Sequence, residues 1–130
     1  DEDNPHKGNN LQIENLSAQE RSLMESCGNQ LMLFRLRGPL SFGAAKGISA
    51  RMGLVSNYQV LILDITEVQR MGVTAALAVE RMVQEAQTHG RIAFVAGANQ
   101  RLKERLGRFG VNAVMTDRLD ALQRASEHLT

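Results

Sequence analysis

The sequence predicts an α/β protein with a mostly parallel sheet of four or five strands and with four or five helices. Short, continuous apolar segments alternate along the chain with segments whose apolar residues recur every three or four positions. Continuous apolar strands are typical of parallel sheets whose two faces are covered by helices. The chain has 130 residues, 43% of them hydrophobic, which suffices for one domain with its own core.

The composition of the first residues sets the predicted limits of that domain. Residues 1–16 are mostly polar and contain Pro, Gly and several Asn, so we expect a disordered leader or linker there. A single domain is predicted over residues 17–130, with its core in residues 31–129. The chain begins at Asp1 rather than at a methionine, and we therefore expect it to be part of a longer protein.

The helices are predicted from their end residues as well as from their apolar faces. Ser17 and Glu20 have the spacing of a capping box, which predicts a short helix. Asn99 and Asp117 are residues of the type that caps a helix start, and Gly90 follows the clearest helix. The predicted strands are residues 31–36, 60–63, 92–96 and 111–115; the predicted helices are residues 17–26, 41–53 and 72–89, a helix between Asn99 and Gly110, and a last helix that begins after Asp117.

Composition and spacing argue against several classes of function. The formal net charge is +1, which gives no general preference for nucleic acid, and we expect no nucleic-acid partner. The three histidines and the single cysteine lie far apart, without the spacing of a metal site, so we expect no metal and no cofactor. No histidine is placed by a motif to activate Ser41, Ser49 or Thr66, and we predict no catalytic residues.

The helix predicted over residues 72–89 carries two apolar residues outside its apolar stripe. Val73 and Leu77 fall on the side that should face water, and the Thr74 hydroxyl lies beside them in the first turn. In an open parallel sheet, binding sites lie in such turns at the carboxyl ends of strands. One interpretation is a docking surface. The other is that Thr74 is an ordinary residue of the helix start and that a neighbouring loop covers Leu77.

The segment from residue 64 to residue 77 resembles the signature of STAS domains. The pattern is Asp64-Ile65-Thr66-x-Val68-x-x-Met71-x-x-Thr74, placed after an apolar strand and before an alanine-rich helix. STAS domains occur in bacterial anti-sigma-factor antagonists and as the cytoplasmic C-terminal domain of SulP-type anion permeases. The resemblance covers about residues 31–129 and implies a STAS-like fold.

Two departures from the antagonists' pattern favour the permease type. Where the antagonists have Asp-Ser-Ser-Gly, this chain has Gly72-Val73-Thr74-Ala75, so Thr74 stands in the place of the phosphorylated serine. Gly72 replaces the preceding acid, and Val73 replaces the neighbouring serine. The resemblance therefore implies a non-catalytic regulatory, assembly or dimerisation domain on the cytoplasmic side of a bicarbonate or sulphate transporter. Its implied partners are the membrane part of the same transporter, a second copy and a regulatory protein. The implied contact surface comprises Thr66, Met71, Gly72, Val73, Thr74 and Leu77.

Two alternative functions remain open at this stage. The first is a free anti-sigma-factor antagonist that is controlled by phosphorylation of Thr74. The second is a nucleotide- or anion-sensing domain, in which Ser41, Gly97 and Asn99 would form the site at the carboxyl ends of strands. Residues 91–110 are also locally basic, which we interpret as a solvated helix face; an anionic lipid surface or an acidic partner is the alternative.

Overall fold

The computed structural model describes residues 16–38, 43, 46–47, 50–51, 57–68, 70–108, 110, 114–115 and 117–130. The elements described are helix α1 (Ala18–Cys27), a 3-10 helix (Gly28–Gln30), strands β1 (Leu31–Arg37) and β2 (Val60–Glu67), helix α2 (Val73–Thr88), strand β3 (Ile92–Ala96), helix α3 (Gln100–Arg108), strand β4 (Val114–Met115) and helix α4 (Arg118–Leu129). The four strands form one sheet in the order β1-β2-β3-β4, and every neighbouring pair is parallel. The predicted fold class is thereby confirmed.

The two faces of the sheet are covered by different helices. Successive side chains of a strand point to opposite faces, so the continuous apolar run of β2 supplies both. Leu61 and Leu63 pack into a cluster with the buried residues of α2 and α3. Val60 and Ile62 pack into a second cluster with the buried residues of α1 and α4. All four are fully buried, and each contributes about 1.5–3 kcal/mol relative to an exposed position.

Helix α2 buries the stripe that its sequence predicts. The helix covers the sheet face formed by Leu61, Leu63 and Ile65. Its small alanines leave room for the aliphatic side chains of that face. The buried residues of α2 are Ala75, Ala76, Ala78, Val79, Met82, Val83 and Ala86.

Three of these helices begin with the predicted caps. The Ser17 hydroxyl accepts from the Glu20 N–H at 3.1 Å, and Glu20 Oε1 accepts from the Ser17 N–H at 2.9 Å, which completes the capping box. Asn99 Oδ1 accepts from the third residue of its helix at 2.8 Å, and Asp117 Oδ1 does so at 2.9 Å. Helix α2 differs, because its N-cap residue is Gly72 and no side chain caps it.

Strand β2 extends four residues beyond its predicted end, so the predicted start of the following turn at Asp64 is wrong. The sequence predicted that the chain leaves the sheet at Asp64, but residues 64–67 continue the strand. Ile65 is fully buried, and pairing with β1 continues as far as Glu67, opposite Arg37. The chain therefore leaves β2 after Glu67, and α2 begins at Val73.

The other predicted boundaries are only partly covered by the described residues. Residues 1–15 of the predicted leader lie outside them, whereas Leu16 is half-buried and packs against the core. Within the predicted helix 41–53, the described positions 43, 46, 47, 50 and 51 are helical. Of the predicted strand 111–115, residues 114 and 115 are described, and both are in β4.

Candidate functional site

The signature acid Asp64 lies inside the domain, beneath the helices of the second face. The two-residue period of β2 places Asp64 on the same side as Val60 and Ile62, which α1 and α4 cover. Its side chain is 1% exposed, and Oδ2 accepts a hydrogen bond from Arg118 Nη1 at 3.0 Å. The first residue of α4 thus neutralises the buried acid of the second strand.

Arg118 also binds a second acid, which belongs to α1. Arg118 Nε donates to Glu20 Oε2 at 2.9 Å, and Arg118 Nη2 donates to Glu20 Oε1 at 3.2 Å. Burial acts to raise the pKa of Glu20, but the hydrogen bonds and charge of Arg118, together with the hydrogen bonds of Ser17, outweigh burial and lower the pKa. The hydrogen bond to Glu20 is likewise the main cause of a raised pKa of Arg118, which burial opposes. One guanidinium therefore joins α1, α4 and the carboxyl end of β2.

The second signature residue, Thr66, is held by the remaining oxygen of Asp64. Asp64 Oδ1 accepts from the Thr66 N–H at 3.0 Å and from the Thr66 hydroxyl at 2.5 Å. Gly97, just after β3, lies directly against this threonine: a Cβ at position 97 would be 2.1 Å from Thr66 Oγ1. Asp64 and Thr66 thus form a joint between the ends of β2 and β3, and their side chains contact the domain itself.

The predicted contact surface lies at the first turn of α2. Val73 is 57% exposed, Thr74 and Gly72 are exposed, and Leu77 is half-buried. Met71 is 5% exposed and belongs to the core cluster, so its side chain supports this surface from below. Of the remaining predicted positions, Thr66 is exposed, whereas the signature residue Val68 is buried.

The two described residues of the predicted nucleotide or anion site, Gly97 and Asn99, make contacts within the domain. The Asn99 carboxamide caps α3, and Gly97 packs against Thr66. Gly97 has φ +83°, a conformation that favours glycine, and its N–H donates to the Met115 carbonyl at 3.3 Å. Ser41 lies outside the described residues. The positive φ and the close contact with Thr66 explain why position 97 is a glycine, without a bound ligand.

Sequence reasoning did not identify Arg118 or Glu20 as members of the site. Glu20 was assigned only to its capping box, and Arg118 had no assigned role. One signal was available: an acid at the end of an apolar strand needs a positively charged or hydrogen-bonding partner if it is buried. That signal indicates the charge of the partner but not which of the arginines supplies it.

Two other features are absent from the part of the chain that the structure describes. There, no three His, Cys, Asp or Glu residues converge in a way that would hold a metal ion. None of the helices in that part is both long enough and apolar enough to cross a membrane.

Comparison with known protein families identifies the signature. Residues 22–125 match the STAS domain family. The bicarbonate transporter BicA of Synechocystis sp. is 34% identical over 96 residues, which cover 74% of this chain and 17% of the transporter. The chain thus corresponds to about one sixth of the length of this relative.

Solved structures with a similar fold include a transporter domain and an anti-sigma factor antagonist. The STAS domain of a SulP transporter from Vibrio cholerae superimposes with a TM-score of 0.73 at 26% identity, over 87% of this chain and 98% of that one. The unphosphorylated anti-sigma factor antagonist SpoIIAA superimposes with a TM-score of 0.66 at 16% identity, over 75% of this chain and 90% of the antagonist. The second similarity concerns the fold alone.

Proposed function

Because the chain belongs to the STAS domain family, we propose that it is a non-catalytic regulatory and interaction domain of a SulP-type anion transporter. The observation that carries this proposal is the similarity to BicA, which covers 74% of this chain but 17% of the transporter. Such a match is expected for one domain of a much larger protein. We propose bicarbonate or sulphate as the anion that the whole protein carries.

The proposed partner is the membrane part of the same transporter, which would place the domain on the cytoplasmic side of the membrane. A second copy of the domain or a regulatory protein would use the same surface. The described residues give this surface a rigid base, because α2 buries a full stripe of apolar side chains against the sheet.

The first turn of α2 is the proposed contact surface. Val73 is the large apolar side chain that the described residues leave most exposed, at 57%, and Leu77 lies one turn further along the same side. Covering the Val73 side chain on association would remove apolar area from water, which favours binding. Two apolar residues form a small patch, so we expect this turn to contribute only a modest part of the binding free energy of a larger interface.

Glutamate at Val73 or Leu77 tests this proposal in the full-length protein that contains the chain. A buried, unpaired charge in an interface is costly, so Val73→Glu should weaken association between the domain and its partner by about tenfold or more. Association can be measured by cross-linking the domain to the membrane part, and anion uptake can be measured in vesicles. Leu77→Glu serves as the second variant.

Gln123→Glu provides a control with the same introduced side chain. Gln123 is exposed on α4, which covers the opposite face of the sheet. We expect this variant to keep association and uptake unchanged. Thermal unfolding of the 130-residue chain verifies that all three variants fold. Unchanged association and uptake in both α2 variants would contradict the proposed surface.

Phosphorylation of Thr74 is a second candidate function, as in a free anti-sigma-factor antagonist. It is favoured by the exposure of Thr74 in the first turn of α2, where the helix start tolerates a phosphate. The absence of the Asp-Ser pair before it argues against a kinase that reads that pair. Mass spectrometry of the protein purified from its own cells distinguishes the two functions, because an unmodified Thr74 under all growth conditions excludes the switch.

A further inference from the structure

We propose that the cleft between the β2–α2 turn and helix α3 binds a small tetrahedral oxyanion, such as phosphate or sulphate. The cleft has a volume of about 150 Å³ and opens to solvent. Its lining comprises Arg70, Met71 and Gly72 from the turn and Arg101, Leu102 and Arg105 from α3. This inference concerns the domain itself and holds whether or not the domain belongs to a transporter.

Three arginines line this cleft, and none of them has an acidic partner among the described residues. Within the described part of the chain, the guanidinium groups of Arg70, Arg101 and Arg105 form no ion pair or hydrogen bond. The acid of α3, Glu104, lies outside the lining and accepts a hydrogen bond from Gln100 at 3.0 Å. The described residues therefore do not neutralise the positive charge of the cleft.

The position of the arginines favours occupation by an anion. Arg101 and Arg105 are four residues apart on α3, where like charges destabilise a helix, and Arg70 approaches them from the turn. An anion between the three groups would remove this repulsion. Guanidinium groups donate several hydrogen bonds in a fixed plane, which suits an anion with several oxygens better than a halide.

The start of α2 adds a second source of positive potential. Gly72 is both a lining residue of the cleft and the N-cap of α2, and no side chain caps this helix. The N–H groups of the first turn therefore remain available to an acceptor. A Cβ built at Gly72 would meet no atom within 4 Å, so the space beside this lining residue is open.

The size of the cleft limits the ligand to a single charged group. Pockets for drug-sized ligands enclose about 300–1,000 Å³, well above the 150 Å³ found here. The apolar part of the lining consists of Met71 and Leu102, both of which are almost completely buried. None of the described residues that line the cleft has an aromatic side chain that could stack on a nucleotide base. Phosphate or sulphate matches both the volume and the charge.

The experiment measures binding of inorganic phosphate and sulphate to the 130-residue chain by isothermal titration calorimetry and amide chemical shifts. Sodium chloride keeps the ionic strength constant, so that non-specific screening does not change. The cleft variant is Arg101→Gln with Arg105→Gln. The control is Lys103→Gln with Arg108→Gln, which removes two charges from exposed positions of the same helix outside the cleft.

We expect saturable phosphate and sulphate binding at millimolar concentration, with shifts confined to residues 70–74 and 101–105. The cleft variant should weaken binding by about tenfold or more, while the control should change it by less than about twofold. Equal weakening in both variants would overturn the proposal, because it would indicate diffuse attraction. Absence of saturable binding, or binding of ATP without binding of phosphate, would also overturn it.

Discussion

Arg118 and Asp64 form a hydrogen-bonded ion pair, 3.0 Å from Nη1 to Oδ2, between residues that are 54 positions apart in the chain. The same arginine binds both oxygens of Glu20, which is 98 positions away. Both acids are almost completely buried, at 1% and 7% exposure. Breaking a buried pair leaves an uncompensated charge, which costs far more than the pair itself contributes. The docking of α1 and α4 therefore depends on Arg118 as well as on their apolar contacts.

Replacing Arg118 with methionine should destabilise the domain by about 3–5 kcal/mol, because two buried acids lose their partner. Urea denaturation of the 130-residue chain measures the change in unfolding free energy. Combining Arg118→Met with Asp64→Asn should cost less than the sum of the single changes, since the second change removes one of the unpaired charges.

Arg124→Met is the matched control for this measurement. Arg124 is on the same helix and pairs with Asp120 at 3.4 Å, but its side chain is 59% exposed. An exposed pair of this kind contributes about 0–1 kcal/mol. Similar losses for the two arginine variants, or strictly additive effects of Arg118→Met and Asp64→Asn, would contradict the role given to the buried pair.

Glu20 should make the stability of the domain depend on pH in the acidic range. Burial acts to raise its pKa, but Arg118 and Ser17 together outweigh burial, so the pKa in the folded state lies below the ordinary value of about 4.3. Between the two values the unfolded chain binds more protons, so stability rises with pH in this window. The stabilisation is present above the ordinary value and is lost as the pH falls through the lowered one.

The change of the urea midpoint with pH measures this contribution. Glu20→Gln should reduce the slope in the acidic window and lower the stability near neutral pH. Glu25→Gln is the control, because Glu25 lies on the same helix with an exposed side chain. An unchanged slope in Glu20→Gln would show that other acids cause the pH dependence.

The local elements were predictable because their signals are local. Strand Ile92–Ala96 has the predicted bounds, since a short apolar run lies between Gly90 and Gly97. Asn99 and Asp117 cap their helices because one side chain and the next turn suffice for a cap. The exposure of Val73 followed from its angular position on α2.

The end of β2 and the partner of Asp64 depend on contacts that are distant in sequence. Asp64, Thr66 and Glu67 are polar and suggest a turn, but the buried Ile65 and the pairing with β1 keep them in the strand. The choice of Arg118 depends on the fold bringing the start of α4 to the end of β2. The arginines that line the cleft belong to two segments, and only the folded chain brings Arg70 to α3.

Gly97→Ala should be strongly destabilising. At φ +83° a side chain costs about 1–3 kcal/mol, and the new Cβ would also be 2.1 Å from Thr66 Oγ1 and 3.0 Å from Thr66 Cα. The backbone atom cannot move away by a change of rotamer. A loss of less than about 1 kcal/mol in urea denaturation would contradict this tight packing.

Gly107→Ala is the control for the glycine variant, and it should have the opposite sign. Gly107 is in α3, and a Cβ there would meet no atom within 4 Å. Alanine is favoured over glycine inside a helix by about 0.5–1 kcal/mol, so this variant should be slightly more stable than the parent chain.

Aspartate at the two ends of α2 should have opposite effects on stability. Thr74 is in the first turn and Thr88 is the last residue of the helix, and both are exposed. Thr and Asp have similar helix propensities, so the difference reflects the helix dipole. Thr74→Asp should stabilise the domain by about 0.3–1 kcal/mol, and Thr88→Asp should destabilise it by a similar amount. Thermal unfolding at low salt measures both, and added salt should reduce both effects. A destabilising Thr74→Asp would show that the start of α2 does not favour negative charge.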